Sequence, residues 1–229
     1  MIPGRMVVIG GTGTSIGKTQ FAEAVLYAWR KTARVVGLKP VESGVVDRSR
    51  SDAARLAAAS SFHVKQGGYA LAAPLSPHLA ARDEGVEIRT ALVVQLARDA
   101  REQADGVLLE LAGGLFTPVT DRICNADLAA ILAPDALLLV APDRLGVLHE
   151  VAATTRAAST LPLRIDGIVL MAPEWPDSST GRNANELPRV TGVPVIAALP
   201  RAASLELAHL PAVQRIVDAI ASGQKLGGV

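Results

Sequence analysis

Short apolar runs alternate along this chain with longer segments whose apolar residues recur at helical spacing. Each run is continuous rather than alternating, which is typical of strands that are buried on both faces. The predicted strands occupy residues 6–9, 34–38, 105–110, 136–140, 165–170 and 193–197. Helices are predicted over residues 18–32, 51–60, 88–104, 145–159 and 204–221. Ser51 is the expected N-cap of the second helix, because its hydroxyl can accept a hydrogen bond from a free backbone N–H.

This order of elements predicts an α/β fold, in which a mostly parallel sheet is covered by helices on both faces. No internal repeat or interdomain linker interrupts the pattern. Residues 172–180 include two prolines and two serines and are predicted to form a loop at a strand end. We therefore expect a single domain spanning residues 1–229, with a flexible tail at 222–229.

The composition narrows the class of protein. Apolar residues make up 49% of the chain and charged residues 20%, which predicts an ordered globular protein. The formal net charge is +1 and no long basic run occurs, so we expect neither nucleic acid nor a membrane as a partner. Aromatic residues amount to 3%, too few for the stacking platforms of proteins that bind single strands.

Cysteine and histidine give no sign of a disulfide or of a zinc-type metal site. Cys124 is the only cysteine, and the histidines are scattered rather than placed at ligand spacing. They are His63, His78, His149 and His209. The N-terminus lacks a signal peptide, and the most apolar stretch, 128–141, is interrupted by Pro134 and too short to cross a bilayer. A cytoplasmic protein is therefore expected.

Three segments that carry candidate chemistry each follow a predicted strand. They are residues 10–19, 39–44 and 110–114. Because ligands bind outside the carboxyl ends of the strands in open parallel sheets, we expect these segments to converge on one site.

The glycine-rich segment 11–19 joins the first predicted strand to the first predicted helix and ends in Gly17-Lys18-Thr19. Backbone N–H groups and the helix dipole at such a position favour phosphate oxygens. Lys18 can neutralise the terminal phosphates of ATP, and the Thr19 hydroxyl can bind Mg²⁺. The predicted nucleotide-binding residues are Gly13, Thr14, Ser15, Ile16, Gly17, Lys18 and Thr19. The fold is accordingly predicted to be P-loop NTPase-like, although five residues separate Gly11 from Gly17 where the common loop has four.

A lysine and two carboxylates are the other candidates. Lys39, which follows the second strand, can hold an anion or stabilise charge in a transferring phosphoryl group, with Ser43 as a neighbouring donor. Lysines are more often solvated, so Lys39 alone would equally suit a surface turn. Glu110 ends the third strand before two glycines, as a Mg²⁺ ligand of a P-loop enzyme would. Asp52 is a possible second ligand or an ordinary residue of a first helical turn, and the residues alone do not decide between these.

Together these segments resemble the dethiobiotin synthetases of the biotin pathway, which share the unusual loop spacing. The resemblance runs from the N-terminus to about residue 150 and continues more weakly to Ala198. The matching motifs, in order, are Gly11-Thr12 with Thr14 and Gly17-Lys18-Thr19, Lys39-Pro40-Val41 with Ser43-Gly44, Ser51-Asp52, Pro74 with Ser76-Pro77-His78, Glu110 with Ala112-Gly113-Gly114, Phe116-Thr117-Pro118, and Leu145-Gly146.

The resemblance implies a ligase that converts 7,8-diaminononanoate, CO₂ and ATP into dethiobiotin, ADP and phosphate in the presence of Mg²⁺. A carbamate forms on one amine, its oxygen attacks the γ-phosphate, and the second amine closes the ureido ring. It implies catalytic roles for Lys18, Lys39, Thr14 and Ser43. It implies metal ligands at Thr19, Asp52 and Glu110. Substrate contacts are implied at Lys39, Ser43, Gly113, Gly114, Val147, Leu148 and His149.

The resemblance also implies a homodimer, in which the carboxylate tail of the substrate meets a helix N-terminus of the partner subunit at the segment 145–149. His149 stands where related enzymes often have Asn, and it suits a surface helix position equally well. Ser15 replaces a glutamate found in some members. Met171 stands where some members have an Asn that recognises the nucleotide base, and a thioether cannot make that paired hydrogen bond. The preferred nucleoside triphosphate is therefore left open.

Two other functions fit a phosphate loop of this kind. Septum-site and plasmid-partition ATPases, which act as dimerising switches, carry a second lysine early in the loop, whereas this chain has Gly13 at that position. A nucleotide-binding regulatory domain without turnover is the other alternative. The retained Lys18, Lys39 and Glu110 argue against it.

Overall fold

The computed structural model describes residues 4–62 and 67–226. Its strands are β1 (Arg5–Gly11), β2 (Val35–Leu38), β3 (Val41–Ser43), β4 (Tyr69–Leu71), β5 (Gly106–Glu110), β6 (Ala136–Pro142), β7 (Gly167–Met171) and β8 (Val195–Leu199). Its helices are α1 (Lys18–Trp29), α2 (Asp52–Ala59), α3 (Pro77–Asp83), α4 (Thr90–Gln103), α5 (Asn125–Leu132), α6 (Val147–Ala158), α7 (Asn183–Thr191), α8 (Ser204–Leu207) and α9 (Pro211–Ser222). A single 3₁₀ turn, Arg48–Arg50, precedes α2.

Six strands form one sheet in the order β2-β5-β1-β6-β7-β8, and every pairing in it is parallel. The first connection runs from β1 towards β2 at one edge, whereas the connections after β6 run towards β8 at the other. The chain therefore reverses direction between β1 and β6, and a ligand crevice is expected outside the carboxyl ends of the strands there. The short strands β3 and β4 make a separate parallel pair.

Both faces of the sheet are buried, as the continuous apolar strands predict. Along β1, Met6 and Val8 pack into one cluster together with α4, α5 and α6. Val7 and Ile9 pack into a second cluster together with α1, α2 and α9. This arrangement confirms the predicted α/β fold with helices on both faces of a parallel sheet.

Several helices differ from the sequence prediction. The predicted helix 204–221 is wrong as one element, because the chain forms α8 and α9 with a break at residues 208–210, and Pro211 starts the second helix. The predicted helix 18–32 ends at Trp29. Helices α3, α5 and α7 were not predicted at all. The loop predicted over 172–180 is present, and Ser51 caps α2 by accepting from the Ala54 N–H at 3.1 Å.

Parts of the prediction fall outside the described residues. These are His63 and the last three residues of the tail at 222–229. Within residues 4–62 and 67–226, none of the helices combines the length and apolar character that a bilayer span requires.

Candidate active site

The three segments that follow β1, β2 and β5 meet at one edge of the sheet, as their positions in the sequence predict. These strands are neighbours in the order β2-β5-β1, so their carboxyl ends lie side by side. A cavity of about 300 Å³ opens there. It is lined by Thr14, Ser15, Ile16, Gly17, Lys18, Thr19, Gln20, Lys39, Asp52, Arg55, Glu110 and Gly113. The cavity thus combines the loop, both lysines and both carboxylates identified from the sequence.

The glycine-rich loop takes its shape from backbone conformations that suit glycine. Gly17, the N-cap of α1, has φ +93°, a left-handed value that strains other residues. Its α-carbon also faces Met171, since a Cβ added at Gly17 would lie 3.0 Å from the Met171 Cγ. Ser15 adopts φ 55° without being glycine, a conformation that costs a non-glycine residue free energy.

Lys18 is 5% exposed, and its ammonium donates to the Gly13 carbonyl at 2.6 Å. Burial lowers its pKa to about 8, against the opposing attraction of Glu110. The Lys18 ammonium therefore loses its proton more readily than an exposed lysine does, and a bound phosphate would stabilise its charged form.

Lys39 lies between two carboxylates. Its Nζ is 2.5 Å from the Asp52 Oδ2 and 2.8 Å from the Glu110 Oε1, and its side chain is 8% exposed. Burial disfavours the charged ammonium, but attraction by Glu110 and Asp52 outweighs burial and raises the pKa of Lys39. Lys39 is thus a buried cation, and a solvated surface turn is excluded.

Glu110 is the most deeply buried group of the site, with 1% of its side chain exposed. Its Oε1 accepts from both the Thr19 hydroxyl, at 2.9 Å, and the Lys39 ammonium. Its Oε2 is buried and has no hydrogen-bond partner among the described residues. Burial raises the pKa of the Glu110 carboxyl, opposed by the charge of Lys39. A buried carboxylate oxygen without a partner costs free energy, and a cation would remove that cost.

The residues around Glu110 suit Mg²⁺, which takes part of its coordination from substrate phosphates, better than they suit a metal ion whose ligands all come from the protein. Over residues 4–62 and 67–226, no group of three or more His, Cys, Asp and Glu side chains could hold a metal ion. The candidate set is instead the Thr19 hydroxyl with the carboxylates of Asp52 and Glu110. Mg²⁺ is commonly bound by one or two carboxylates together with substrate phosphates, so the free Oε2 of Glu110 matches that chemistry.

Other residues implied by the resemblance lie outside the lining of this cavity. Ser43 is half-buried in β3, and the Gly114 N–H is occupied by the Thr117 hydroxyl at 2.9 Å. Val147, Leu148 and His149 form the first turn of α6, which begins after Gly146. That turn stays close to the loop, because the Thr12 hydroxyl donates to the Glu150 Oε2 at 3.2 Å.

Comparison with known sequences shows the family to which this chain belongs. A sequence model described as an AAA domain matches residues 5–208. The ATP-dependent dethiobiotin synthetase BioD of Anaeromyxobacter dehalogenans (strain 2CP-C) is 41% identical over 208 residues, which cover 86% of this chain and 90% of that protein. The protein of that name from Aromatoleum aromaticum is 34% identical over 220 residues, 93% of this chain and 97% of its own length. The chain belongs to the dethiobiotin synthetase family.

Solved structures of proteins from other families have similar folds. The ParA family ATPase from Chlorobium tepidum TLS has a TM-score of 0.59 and 14% identity, covering 95% of this chain and 98% of its own. The septum site-determining protein MinD from Pyrococcus horikoshii OT3, complexed with Mg-ADP, gives 0.59 and 14%, covering 98% and 97%. At this identity the likeness shows the fold alone, and it confirms the P-loop NTPase-like class.

For this dethiobiotin synthetase family member, the structure adds residues that the motifs did not indicate. Arg55 lines the cavity, where its guanidinium bonds both oxygens of Glu23, at 3.0 and 2.7 Å, and the Asp52 Oδ1 at 3.2 Å. Ser204 donates to the same Glu23 at 2.6 Å. Gln20 also lines the cavity and donates to the Ala202 carbonyl. A helical period of three to four residues after Asp52 could have pointed to Arg55, but no sequence signal links Glu23 to Ser204.

Met171, which departs from the Asn of some family members, is 4% exposed and ends β7. Its side chain packs beneath Gly17 rather than into the cavity lining. Met171 therefore packs against the glycine-rich loop at Gly17.

A larger cavity, of about 790 Å³, lies away from these residues. Its walls come from α3, the start of α4 and residues 119–123, and they include the exposed Arg82–Asp121 ion pair. None of the predicted site residues lines it. We assign the active site to the smaller cavity, because that is where the buried charges and the phosphate loop meet.

Proposed function

We propose that this chain catalyses the ATP-dependent ring closure of 7,8-diaminononanoate with CO₂ to dethiobiotin, as its family name indicates. The observation that carries the proposal is the burial of Lys39 between Asp52 and Glu110 at the edge of a phosphate loop. Phosphoryl transfer needs positioning and charge stabilisation more than a nucleophilic side chain, and this site supplies both.

In the proposed reaction, one amine of the substrate adds to CO₂ and forms a carbamate. A carbamate oxygen attacks the γ-phosphorus of ATP, the bond to the β-phosphate oxygen breaks, and ADP leaves. The second amine then attacks the carbamate carbon. Phosphate leaves with the oxygen that it received from the carbamate, and the ureido ring closes.

The loop residues Gly13 to Thr19 would hold the phosphates of ATP. Gly17, Lys18 and Thr19 at the start of α1 line this cavity, where backbone N–H groups favour an anion and a phosphate oxygen would stabilise the charged form of Lys18. The exposed Thr14 hydroxyl stands at the mouth of the same cavity and can donate to the transferring group.

Lys39 would change partners during the reaction. Thr19, Asp52 and Glu110 are the residues that would hold Mg²⁺, which supplies charge neutralisation at the β- and γ-phosphates. The Lys39 ammonium would hold the carbamate, with Gly113 in the lining of the same cavity and Ser43 nearby in the chain. Lys39 would then offset the negative charge that builds up between carbamate and phosphate.

The carboxylate tail of the substrate would bind at the N-terminus of α6 of a partner subunit. Val147, Leu148 and His149 form this first turn, and the N–H groups there favour an anion. Leu145, which precedes it, is 75% exposed and is suited to contact a second copy of the chain. The active form would accordingly be a homodimer.

The proposal is tested by incubating the protein with diaminononanoate, bicarbonate, Mg²⁺ and each nucleoside triphosphate in turn. Dethiobiotin and phosphate should appear in equal amounts. Comparison of the nucleoside triphosphates shows which nucleotide base is preferred by a protein that carries Met171. Nucleotide hydrolysis that proceeds without the diamine and yields no dethiobiotin would contradict the proposal and favour a nucleotide-dependent switch.

A further inference from the structure

Glu42 is a buried carboxylate that none of the assigned motifs explains. It lies in β3, three residues after Lys39, and is 8% exposed. Burying a carboxylate is costly unless its oxygens are hydrogen-bonded, so the partners of Glu42 indicate what the residue does.

Both oxygens of Glu42 accept from the start of α2. The Asp52 N–H donates to Oε1 at 2.8 Å, and the Ala53 N–H donates to Oε2 at 3.0 Å. These N–H groups have no partner inside the helix. The third such group, the N–H of Ala54, is taken by the Ser51 hydroxyl at 3.1 Å. The negative charge of Glu42 is also favourable at this end of the helix.

Asp52 is thereby held from two directions by one short segment of chain. Glu42 holds its backbone N–H, and Lys39, at the other end of the segment, holds its carboxylate. Arg55 fixes the remaining carboxylate oxygen. A displacement of the start of α2 would therefore move the Asp52 carboxylate relative to Glu110 and Thr19.

We propose that Glu42 is a positioning residue, which sets the place of Asp52 beside the phosphate loop and so sets the affinity of the site for Mg²⁺. This inference rests on the proposed function only in taking Asp52 as a Mg²⁺ ligand. Groups that orient metal ligands through hydrogen bonds commonly govern metal affinity. Here the orientation acts through the backbone of the ligand rather than through its side chain.

The variant Glu42→Gln tests this at nearly constant size. An amide keeps one acceptor oxygen and loses both the second acceptor and the charge. Glu42→Asp keeps the charge and both oxygens but withdraws them by one methylene, and it serves if the amide variant folds poorly. Ser51→Ala is the matched control, because it removes a cap from the same helix end without touching the Asp52 N–H.

The readout is binding of a fluorescent ATP analogue, titrated with Mg²⁺ in the absence of diamine. Mg²⁺ is expected to increase the affinity of the protein for the analogue. Glu42→Gln should raise about tenfold the Mg²⁺ concentration that gives half of this increase, and Glu42→Asp should raise it as well. Affinity for the analogue without Mg²⁺ should stay unchanged in both. Ser51→Ala should lower thermal stability but leave the Mg²⁺ requirement unchanged.

A second arm combines Glu42→Gln with Asp52→Asn. If Glu42 acts through Asp52, the Mg²⁺ requirement of the double variant should equal that of Asp52→Asn alone. An unshifted requirement in Glu42→Gln, or an equal shift in Ser51→Ala, would overturn the role of Glu42. An unshifted requirement in Asp52→Asn would instead refute Asp52 as a ligand, which separates failure of this inference from failure of the proposed site.

Discussion

At the scale of single residues, the site is a compact set of charges that balance one another. Lys39 compensates Asp52 and Glu110, and the unpartnered Oε2 of Glu110 leaves one strong acceptor for a cation. Lys39 and Glu110 were identified from the sequence because they lie at the ends of strands that terminate together, whereas Asp52 was assigned a site role only through the family resemblance. The contacts of Asp52 and Glu42 depend on the tertiary packing of α2, and the sequence pattern indicates only that Arg55 lies one helical turn after Asp52.

Replacing Lys39 by alanine should lower kcat by about a hundredfold or more, because it removes a preorganised charge from the transferring group. Nucleotide affinity should change little, since the phosphate loop is retained. Steady-state kinetics and fluorescent-nucleotide titration measure the two effects. Lys31→Ala, at an exposed lysine after α1, is the control and should behave like the unmodified protein. A Lys39→Ala variant with full activity would refute the role given to Lys39.

The pKa of Lys18 predicts how nucleotide affinity depends on pH. Its ammonium has a pKa of about 8 in the free protein, and a bound phosphate must raise that pKa. Below pH 8 Lys18 already carries its proton in the free protein. Its titration therefore does not change nucleotide affinity in that range. Above pH 8 binding must take up a proton, and affinity should fall by up to about tenfold per pH unit.

Titration of a fluorescent nucleotide at several pH values between about 7 and 9.5 follows this change across the pKa of Lys18. Lys18→Met should bind more weakly and lose the dependence on pH in this range. Affinity that stays constant up to the highest pH in the unmodified protein would show that Lys18 does not titrate against the phosphates.

At the scale of elements, strands were easier to predict from the sequence than helices. All six strands of the main sheet were expected, because buried parallel strands are continuous apolar runs. Helix α5 was missed because its apolar residues and those of β6 lie in one apolar stretch without a helical period, although Pro134 interrupts it just after Ala133, the C-cap of the helix. Helix α7 is polar and contains Pro188, which normally interrupts a helix.

Helix α5 is attached to the loop after β5 through hydrogen bonds of Asn125. Its amide donates to the carbonyls of Ala112 and Gly114 at 2.6 and 2.9 Å, and the residue is 1% exposed. Asn125→Ala should lower the free energy of unfolding by about 1–3 kcal/mol, because two carbonyls lose their donor. Urea unfolding measures this. Ile131→Ala, at a half-exposed position of the same helix, should cost clearly less.

At the scale of the whole molecule, fold and family carry different information. The overall fold is shared with ParA and MinD proteins at 14% identity, so architecture does not separate a ligase from a switch. The ordered motifs, with Gly13 in place of a second lysine, pointed to the synthetases, and the relatives at 34–41% identity agree with that interpretation. The extent of the domain over residues 1–229 stays a prediction.

If each active site of a homodimer contains residues of both subunits, we expect mixing of two inactive variants to restore part of the activity. One variant carries Lys39→Ala, and the other carries Leu148→Pro in the first turn of α6. In a mixed dimer of two-fold symmetry, one site receives both defects and the other receives neither. An equal mixture, exchanged between subunits, should recover about a quarter of normal activity. Activity that stays at the level of the separate variants would mean that each site is built from one chain.

We propose that the buried charges around Lys39 stabilise transfer of the γ-phosphoryl group of ATP to a carbamate, which is followed by ring closure. Isotope tracing with ¹³C- and ¹⁸O-labelled bicarbonate, diaminononanoate, ATP and Mg²⁺, followed by mass spectrometry, tests it most directly. Dethiobiotin is expected to carry the ¹³C and one ¹⁸O, and the released phosphate is expected to carry another ¹⁸O. Unlabelled phosphate formed without any labelled dethiobiotin would contradict it.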